Sequence, residues 1–143
     1  MSFTSTRVAV VAIKDNKLLL IHRLKDGRDF WVIPGGSAEE GETLEIAGKR
    51  EIKEETSLDV SIGEKLWEYE NDYYGQGIRK EYYFLASKVS DDELKFRGEE
   101  LNRAPKQDKY QPEWVTLDKI KEINLVPEFV KEKIIEKFIS RLF

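Results

Sequence analysis

Cysteine is absent from the 143-residue chain, and histidine occurs once, at His22. The first absence removes disulfides, thiolate metal sites and cysteine nucleophiles together. The second excludes a multi-histidine zinc site, so any metal would be held by oxygen, which points to magnesium, manganese or calcium. Excess positive charge is lacking too: 24 Lys+Arg stand against 28 Asp+Glu, a formal charge of -4. Broad nucleic-acid binding relies on surplus cations to neutralise phosphates, so nucleic acid is not the expected partner. No N-terminal apolar run resembles a signal peptide and no stretch is long enough to span a bilayer, which makes the cytoplasm the expected location. Repeats, low-complexity tracts and linkers are also missing. What remains is a chain with 36% charged residues, mixed in sign and interleaved with apolar positions, as in a globular domain. The length fits one domain over residues 1–143, with a core able to stand without a disulfide or structural metal.

Arg7 to Ile13 and Lys17 to His22 are apolar runs rich in β-branched residues, and Asp15-Asn16 between them predicts a hairpin. A polar loop, Lys25 to Asp29, precedes the short apolar piece Phe30 to Ile33, and Pro34-Gly35-Gly36 breaks regular structure. Thr43 to Glu55 carries helix formers, with Thr43 as N-cap. Leu58 to Tyr69 and Glu81 to Val89 read as strands around a tip at Asp72 to Gly77, where Gly75 and Gly77 form the turn. The polar stretch Ser90 to Lys109 has little periodicity, and loops of that length are often functional. Tyr110 to Leu117 predicts a last strand, and Phe129 to Phe138 a helix with apolar Phe129, Val130, Ile134, Ile135 and Phe138. The order of elements is that of an α+β domain with a mixed sheet and helices on its faces.

On a helix from Thr43, Glu51, Glu54 and Glu55 fall within an arc of roughly 100°, because i, i+3 and i+4 share a face. Leu44 and Ala47 lie in or beside that arc, with Gly48 and Ile52 on one flank. Carboxylates on a solvated helix gather opposite the apolar stripe; here they continue it, so the acids should point toward a sheet or cleft. Their repulsion and burial would be relieved by a bound divalent cation. Ile46 falls on the far side, where a second layer would cover it. The acids lie within a helix and do not alternate along a loop as in an EF-hand. A surface helix rich in Glu and Lys is the alternative reading of the same periodicity.

The segment Gly36 to Leu58 resembles the Nudix box, G-x5-E-x7-R-E-U-x-E-E-x-G-U, where U is a bulky aliphatic residue. Gly36 opens it, Glu42 follows, and Arg50, Glu51, Ile52, Glu54, Glu55 and Leu58 occupy the later positions. The one departure is Ser57 in place of the late glycine. Glycine there ends the helix in a left-handed conformation without steric cost; serine carries a modest penalty, but no proposed metal ligand is lost. Trp31 to Gly36 is similar to the strand and turn that lead into the box, and Glu113-Trp114-Val115 to the late strand that closes the domain.

The resemblance implies a Nudix-type α/β/α sandwich and magnesium-dependent hydrolysis, with manganese as substitute, of a diphosphate linkage in a nucleoside diphosphate derivative. It implies Glu51, Glu54 and Glu55 as metal ligands, with the Gly36 (or Gly35) carbonyl as an addition, and Arg50 as orienting a box carboxylate through a bidentate pair. Its alternative role is a surface ion pair with Glu54. Glu42 sets loop geometry or serves the helix dipole as a first-turn acid. The general base is a box glutamate or a later acid, with Asp108, Glu99 and Glu100 as candidates and Glu113 a weaker one. Trp31, Tyr73, Tyr74 or Tyr110 could stack on a base, and Arg23, Arg28 or Arg79 could hold phosphate, while Trp67 and Phe84 belong to the core and His22 is structural. The expected catalytic set is Glu54, Glu51, Arg50 and Asp108, and the expected substrate contacts are Arg23, Trp31, Tyr73 and Tyr110. The competing functions are hydrolysis of a nucleoside triphosphate to monophosphate and pyrophosphate, and a Nudix-like binding module without catalysis. Action on RNA caps is disfavoured by the acidic balance. A small nucleotide-like partner and no membrane are expected, and a homodimer is compatible with the sequence.

Overall fold

A computed structural model describes residues 3–72, 77–95 and 109–139. The first apolar run divides between two sheets. β1 (Phe3–Val11) stays in one, the chain crosses at Ala12, and only β2 (Ile13–Lys14) pairs with β3 (Lys17–Lys25) in the other. The turn between β2 and β3 has positive φ at both central residues, 52° at Asp15 and 63° at Asn16, as a two-residue hairpin requires. A second turn of this kind, Asp26-Gly27 (φ 51° and 77°), leads into β4 (Arg28–Val32). The polar loop expected over 25–29 is therefore only two residues long, with Arg28 and Asp29 already paired in a strand.

Gly35 and Gly36, expected with Pro34 to break regular structure, belong to β5 (Gly35–Ser37), which pairs antiparallel with β1. Helix α1 (Leu44–Thr56) starts where the capping residue predicts: Thr43 Oγ1 accepts the Ile46 N–H at 3.1 Å, satisfying one otherwise orphaned donor. β6 (Val60–Asp72) and β7 (Gly77–Val89) are antiparallel partners, and the expected tip between them lies largely at 73–76, outside the described residues. β8 (Lys109–Thr116) pairs with β3. A 3-10 helix, Leu117–Glu122, follows, and α2 (Glu128–Ile134) continues as a π-helical turn, Ile135–Ile139.

The first sheet has the order β5-β1-β7-β6 and is mixed, because β1 and β7 run parallel while the outer pairs are antiparallel. The second holds β2-β3-β4 with β8 on β3. Period-two alternation sorts their side chains into layers. Val10, Ala12 and Leu19 pack with Ile52 of α1, and Val8 with Ala47. Ala9, Val11, Leu18 and Leu20 pack with Ile120, Val130 and Ile134 on the opposite face. The result is the α/β/α sandwich of an α+β domain. Phe84 is buried and Trp67 packs against the core from its edge. Ile46 is 57% exposed, so no second layer of described residues covers it.

Candidate functional site

A cavity of about 590 Å³ is bordered by both sheets and by α1. The first sheet contributes Arg7, Glu81 and Tyr83, the second Arg23, Val32 and Tyr110, and α1 supplies Glu51 and Glu55. Val126 and Pro127, just before α2, also border it.

Two glycines let the helix acids reach this space. A side chain at Gly35 would place its Cβ 2.2 Å from the Val8 carbonyl oxygen, and one at Gly36 would sit 2.4 Å from the Glu51 carboxylate. Real Cβ atoms do not approach so closely. At Gly35 the obstacle is the β1 backbone, so that contact requires glycine, whereas at Gly36 it is the end of the Glu51 side chain, which a methyl group would displace from its place.

Helix α1 turns its acids unequally. Glu55 is buried, Glu51 is only 14% exposed, and Glu54 is 54% exposed and does not border the cavity. The face expected to carry three acids inward therefore carries two, with the third beside it. Glu55 is held at both oxygens: the Gly35 N–H donates to Oε2 at 2.9 Å and the Tyr110 hydroxyl donates to Oε1. Burial nevertheless pushes its carboxyl up to about 7, against the Tyr110 bond and with help from the charge of Glu51. Burial also raises Glu51, although Arg50 opposes the shift.

Arg50 organises the rim. Its Nε and one terminal nitrogen donate to the two oxygens of Glu42 at 2.8 and 2.9 Å, a bidentate pair. The other terminal nitrogen donates to Glu51 at 2.9 Å and to Glu54 at 3.3 Å. Glu42 in turn accepts the Glu39 N–H at 2.8 Å, which closes the loop ahead of the helix. The Arg50 hydrogen bond, then the Glu39 N–H, hold the Glu42 carboxyl down at about 2. Arg50 thus makes both contacts considered from sequence, the orienting bond to a box carboxylate and the ion pair with Glu54, while its bidentate partner is Glu42.

The other sequence candidates divide. Arg23, Arg79 and Tyr110 border the cavity, and Arg23 lies over the Tyr110 ring at 4.6 Å. Its Nε is buried without a partner among the described residues. Trp31 does not border the cavity; its ring is stacked on His22 at 4.0 Å. His22 lies between Asp29 (2.6 Å) and Glu113 (3.3 Å), which engages Glu113 away from the cavity. Arg28 covers the Phe30 ring. Tyr73, Tyr74, Glu99, Glu100 and Asp108 lie outside the described residues.

Arg7, Glu81 and Tyr83 were not anticipated. The signal for them was a charge heading each of two apolar runs, Arg7 before Val8 and Glu81 before Tyr82, which the structure places within β1 and β7. Arg7 is opposite Glu81 in the β1/β7 ladder, and one of its nitrogens donates to the Ile33 carbonyl at 2.8 Å.

The group that the box resemblance implies here is a divalent cation. Among the described residues no three acidic or histidine side chains converge closely enough to hold one as they stand, and Glu54 is turned to Arg50. The donors fit in kind: they are all oxygen, two carboxylates share one cavity wall with the Gly35-Gly36 backbone, and the burial that raises Glu55 and Glu51 is offset by a nearby cation.

Comparison with known proteins agrees with this architecture. A NUDIX domain model matches residues 4–138. The solution structure of the Escherichia coli ORF135 protein superposes with a TM-score of 0.75 at 18% identity, covering 98% of this chain and 94% of that one. Dihydroneopterin triphosphate diphosphatase of Escherichia coli K12 is 42% identical over 59 residues, 41% of this chain and 39% of that protein. ADP-ribose pyrophosphatase of Methanocaldococcus jannaschii is 37% identical over 101 residues, 65% of this chain and 60% of that protein. The chain thus matches less than two thirds of the length of either relative. No described helix is long and apolar enough to cross a membrane. With the family match spanning residues 4–138 and Gly36, Glu51 and Glu55 bordering one cavity, the chain belongs to the NUDIX domain family.

Proposed function

We propose that residues 1–143 form one pyrophosphohydrolase domain that hydrolyses a diphosphate linkage in a nucleoside diphosphate derivative, giving a nucleoside monophosphate and a phosphorylated remainder. The observation that carries this reading is the placement of Glu51 and Glu55 in a single cavity beside the Gly35-Gly36 backbone. Glu51, Glu54, Glu55 and the Gly36 carbonyl would hold magnesium, for which manganese can substitute. Such an ion supplies Lewis-acid stabilisation of the charge that develops on the phosphate oxygens.

The chain's own groups do the rest. Arg50 positions Glu51 and Glu54, Glu42 locks Arg50 from the far side, and Tyr110 and the Gly35 N–H fix Glu55. Arg23 and Arg79 line the cavity as phosphate-binding cations, and the Nε of Arg23, without a partner among the described residues, is a donor a phosphate oxygen can take up. Water attacks phosphorus, the anhydride P–O bond breaks, and a carboxylate takes the proton of the water. Glu54, the most exposed box acid, is our choice of base, with Asp108 the second.

A second reading, release of pyrophosphate from a triphosphate, is favoured by the relative whose name places dihydroneopterin triphosphate as its substrate. The ADP-ribose pyrophosphatase favours the first. A binding module without catalysis has no such support, since every box acid and Arg50 are present. The substrate is a small molecule free of any membrane, and the cytoplasm is the expected compartment. A panel of nucleoside triphosphates, sugar nucleotides, ADP-ribose and dinucleoside polyphosphates, assayed with magnesium and with EDTA, tests the reading. We expect metal-dependent turnover of one class, lost in Glu54→Gln. EDTA-resistant turnover, or full activity in the variant, would overturn it.

A further inference from the structure

Glu81 is a carboxylate in an unusual place. It sits mid-strand in β7, 8% exposed, on the cavity wall. Taking an ionised carboxylate out of water costs several kcal/mol unless partners make good the loss. Its partners are few: the Tyr83 hydroxyl donates to Oε1 at 2.8 Å, and the nearest Arg7 nitrogen stands 3.8 Å away, beyond hydrogen-bond length. A carboxylate accepts about four hydrogen bonds, so most of its capacity is unused by described residues. Arg7 borders the same cavity, where its charge also acts on Glu51 and Glu55. Among the described residues one of its five N–H donors is taken, by the Ile33 carbonyl.

The register explains the pairing. Arg7 and Glu81 are directly opposite in the parallel β1/β7 ladder, and Tyr83 follows two residues on, on the same face. The cavity wall therefore presents a donor and an acceptor side by side, each held by one hydrogen bond and each with capacity left unused by the described residues. The cavity volume, about 590 Å³, lies within the range of small-molecule sites.

We propose that Glu81 and Arg7 are specificity-determining residues that read the base of the substrate, and that they select a 2-amino-4-oxo ring of the kind found in guanine and pterins. This rests on the hydrolase reading above and names the substrate class for the same site. Such a ring offers two adjacent N–H donors beside a carbonyl oxygen, so the carboxylate accepts both donors while the guanidinium donates to the oxygen. Uracil and thymine place carbonyls on both sides of a single N–H, which sets an acceptor against the carboxylate. Adenine and cytosine offer one amino group next to a ring acceptor and fill only part of the pair. Adenine is matched better by an amide side chain, which can both donate and accept.

The test compares GMP with IMP, which lacks only the 2-amino group, by equilibrium binding to the full chain. Wild type should bind GMP about 10- to 100-fold more tightly, the range for a hydrogen bond to a charged group. Glu81→Gln, which puts an N–H donor where the ring also donates, should bring the ratio within about threefold. Tyr83→Phe leaves the carboxylate but frees its orientation, so the ratio should fall part of the way; this variant carries the test if Glu81→Gln fails to fold. The ribose is common to both ligands, so equal affinity in the wild type would assign Glu81 elsewhere and overturn the proposal. So would failure of both ligands to bind, or an unchanged ratio in a folded Glu81→Gln. Metal-dependent hydrolysis indifferent to the base leaves the hydrolase reading standing and removes this one. GMP discrimination without hydrolysis does the reverse.

Discussion

Ser57 ends α1 in the left-handed region, with φ 70° and ψ 4°, where the resembling motif carries glycine. Two opposing effects act there. A Cβ in this conformation crowds the neighbouring carbonyl at a cost of about 1–2 kcal/mol, and Ser57 carries that penalty. Against it, Ser57 Oγ donates to the Lys95 carbonyl at 2.9 Å, an exposed hydrogen bond worth about 0.5–1.5 kcal/mol net. Ser57→Gly removes both and also loosens the unfolded chain by about 0.4–1 kcal/mol, so its stability should lie within about 1 kcal/mol of wild type. Ser57→Ala keeps the strain and loses the bond, and should be about 1 kcal/mol less stable, a shift of about 4 °C in Tm. The glycine variant should therefore exceed the alanine variant by about the same amount. Denaturant unfolding of the three proteins measures the differences, with hydrolysis as a control that should stay near wild type because Ser57 does not border the cavity. An alanine variant as stable as wild type would show that the Lys95 bond contributes nothing. A glycine variant no more stable than alanine would refute the strain.

The glycines of β5 should respond differently to one added methyl group. Gly36→Ala meets the end of the Glu51 side chain, which can move, so the fold should survive while turnover drops at least about 100-fold, as a displaced catalytic group allows. Gly35→Ala meets the Val8 backbone and should lower stability by about 1–3 kcal/mol, the usual range for overpacking; unfolding curves with the two reversed would contradict the assignment. Glu42, whose carboxyl is held at about 2 against 4.5 for the free group, has a depressed folded-state value. Its stabilising contribution is present above about pH 4.5 and is lost as pH falls through about 2. Glu42→Gln should lower Tm at pH 7 and narrow the gap to wild type in acid; a gap that widens toward pH 2 would be inconsistent with the Arg50 pair.

The helix and its acids were legible because their signals are local. Thr43 caps where the capping rule places it, and the spacing of Glu51 and Glu55 sets both on the buried face. Glu54 does not border the cavity as expected and is turned to Arg50, one turn earlier on the same helix. Long-range features were hidden. The run Arg7 to Ile13 is continuously apolar after its first residue, so nothing in it marks Ala12 as the point where the chain changes sheets. Arg7 and Glu81 meet only through the parallel β1/β7 register, which no local pattern reveals. Trp31 read as a stacking surface for a base, but the β3/β4 register sets it opposite His22, which occupies its ring face.

On the proposed reading the acids of α1 hold a divalent cation in the cavity. Manganese titration of the purified chain, followed by electron paramagnetic resonance of the free ion, tests it directly. Wild type should bind the ion, magnesium should compete for the same site, and Glu51→Gln, stripped of a cavity ligand, should weaken binding at least about tenfold. Unchanged manganese affinity in a folded Glu51→Gln would place the metal elsewhere and contradict the account.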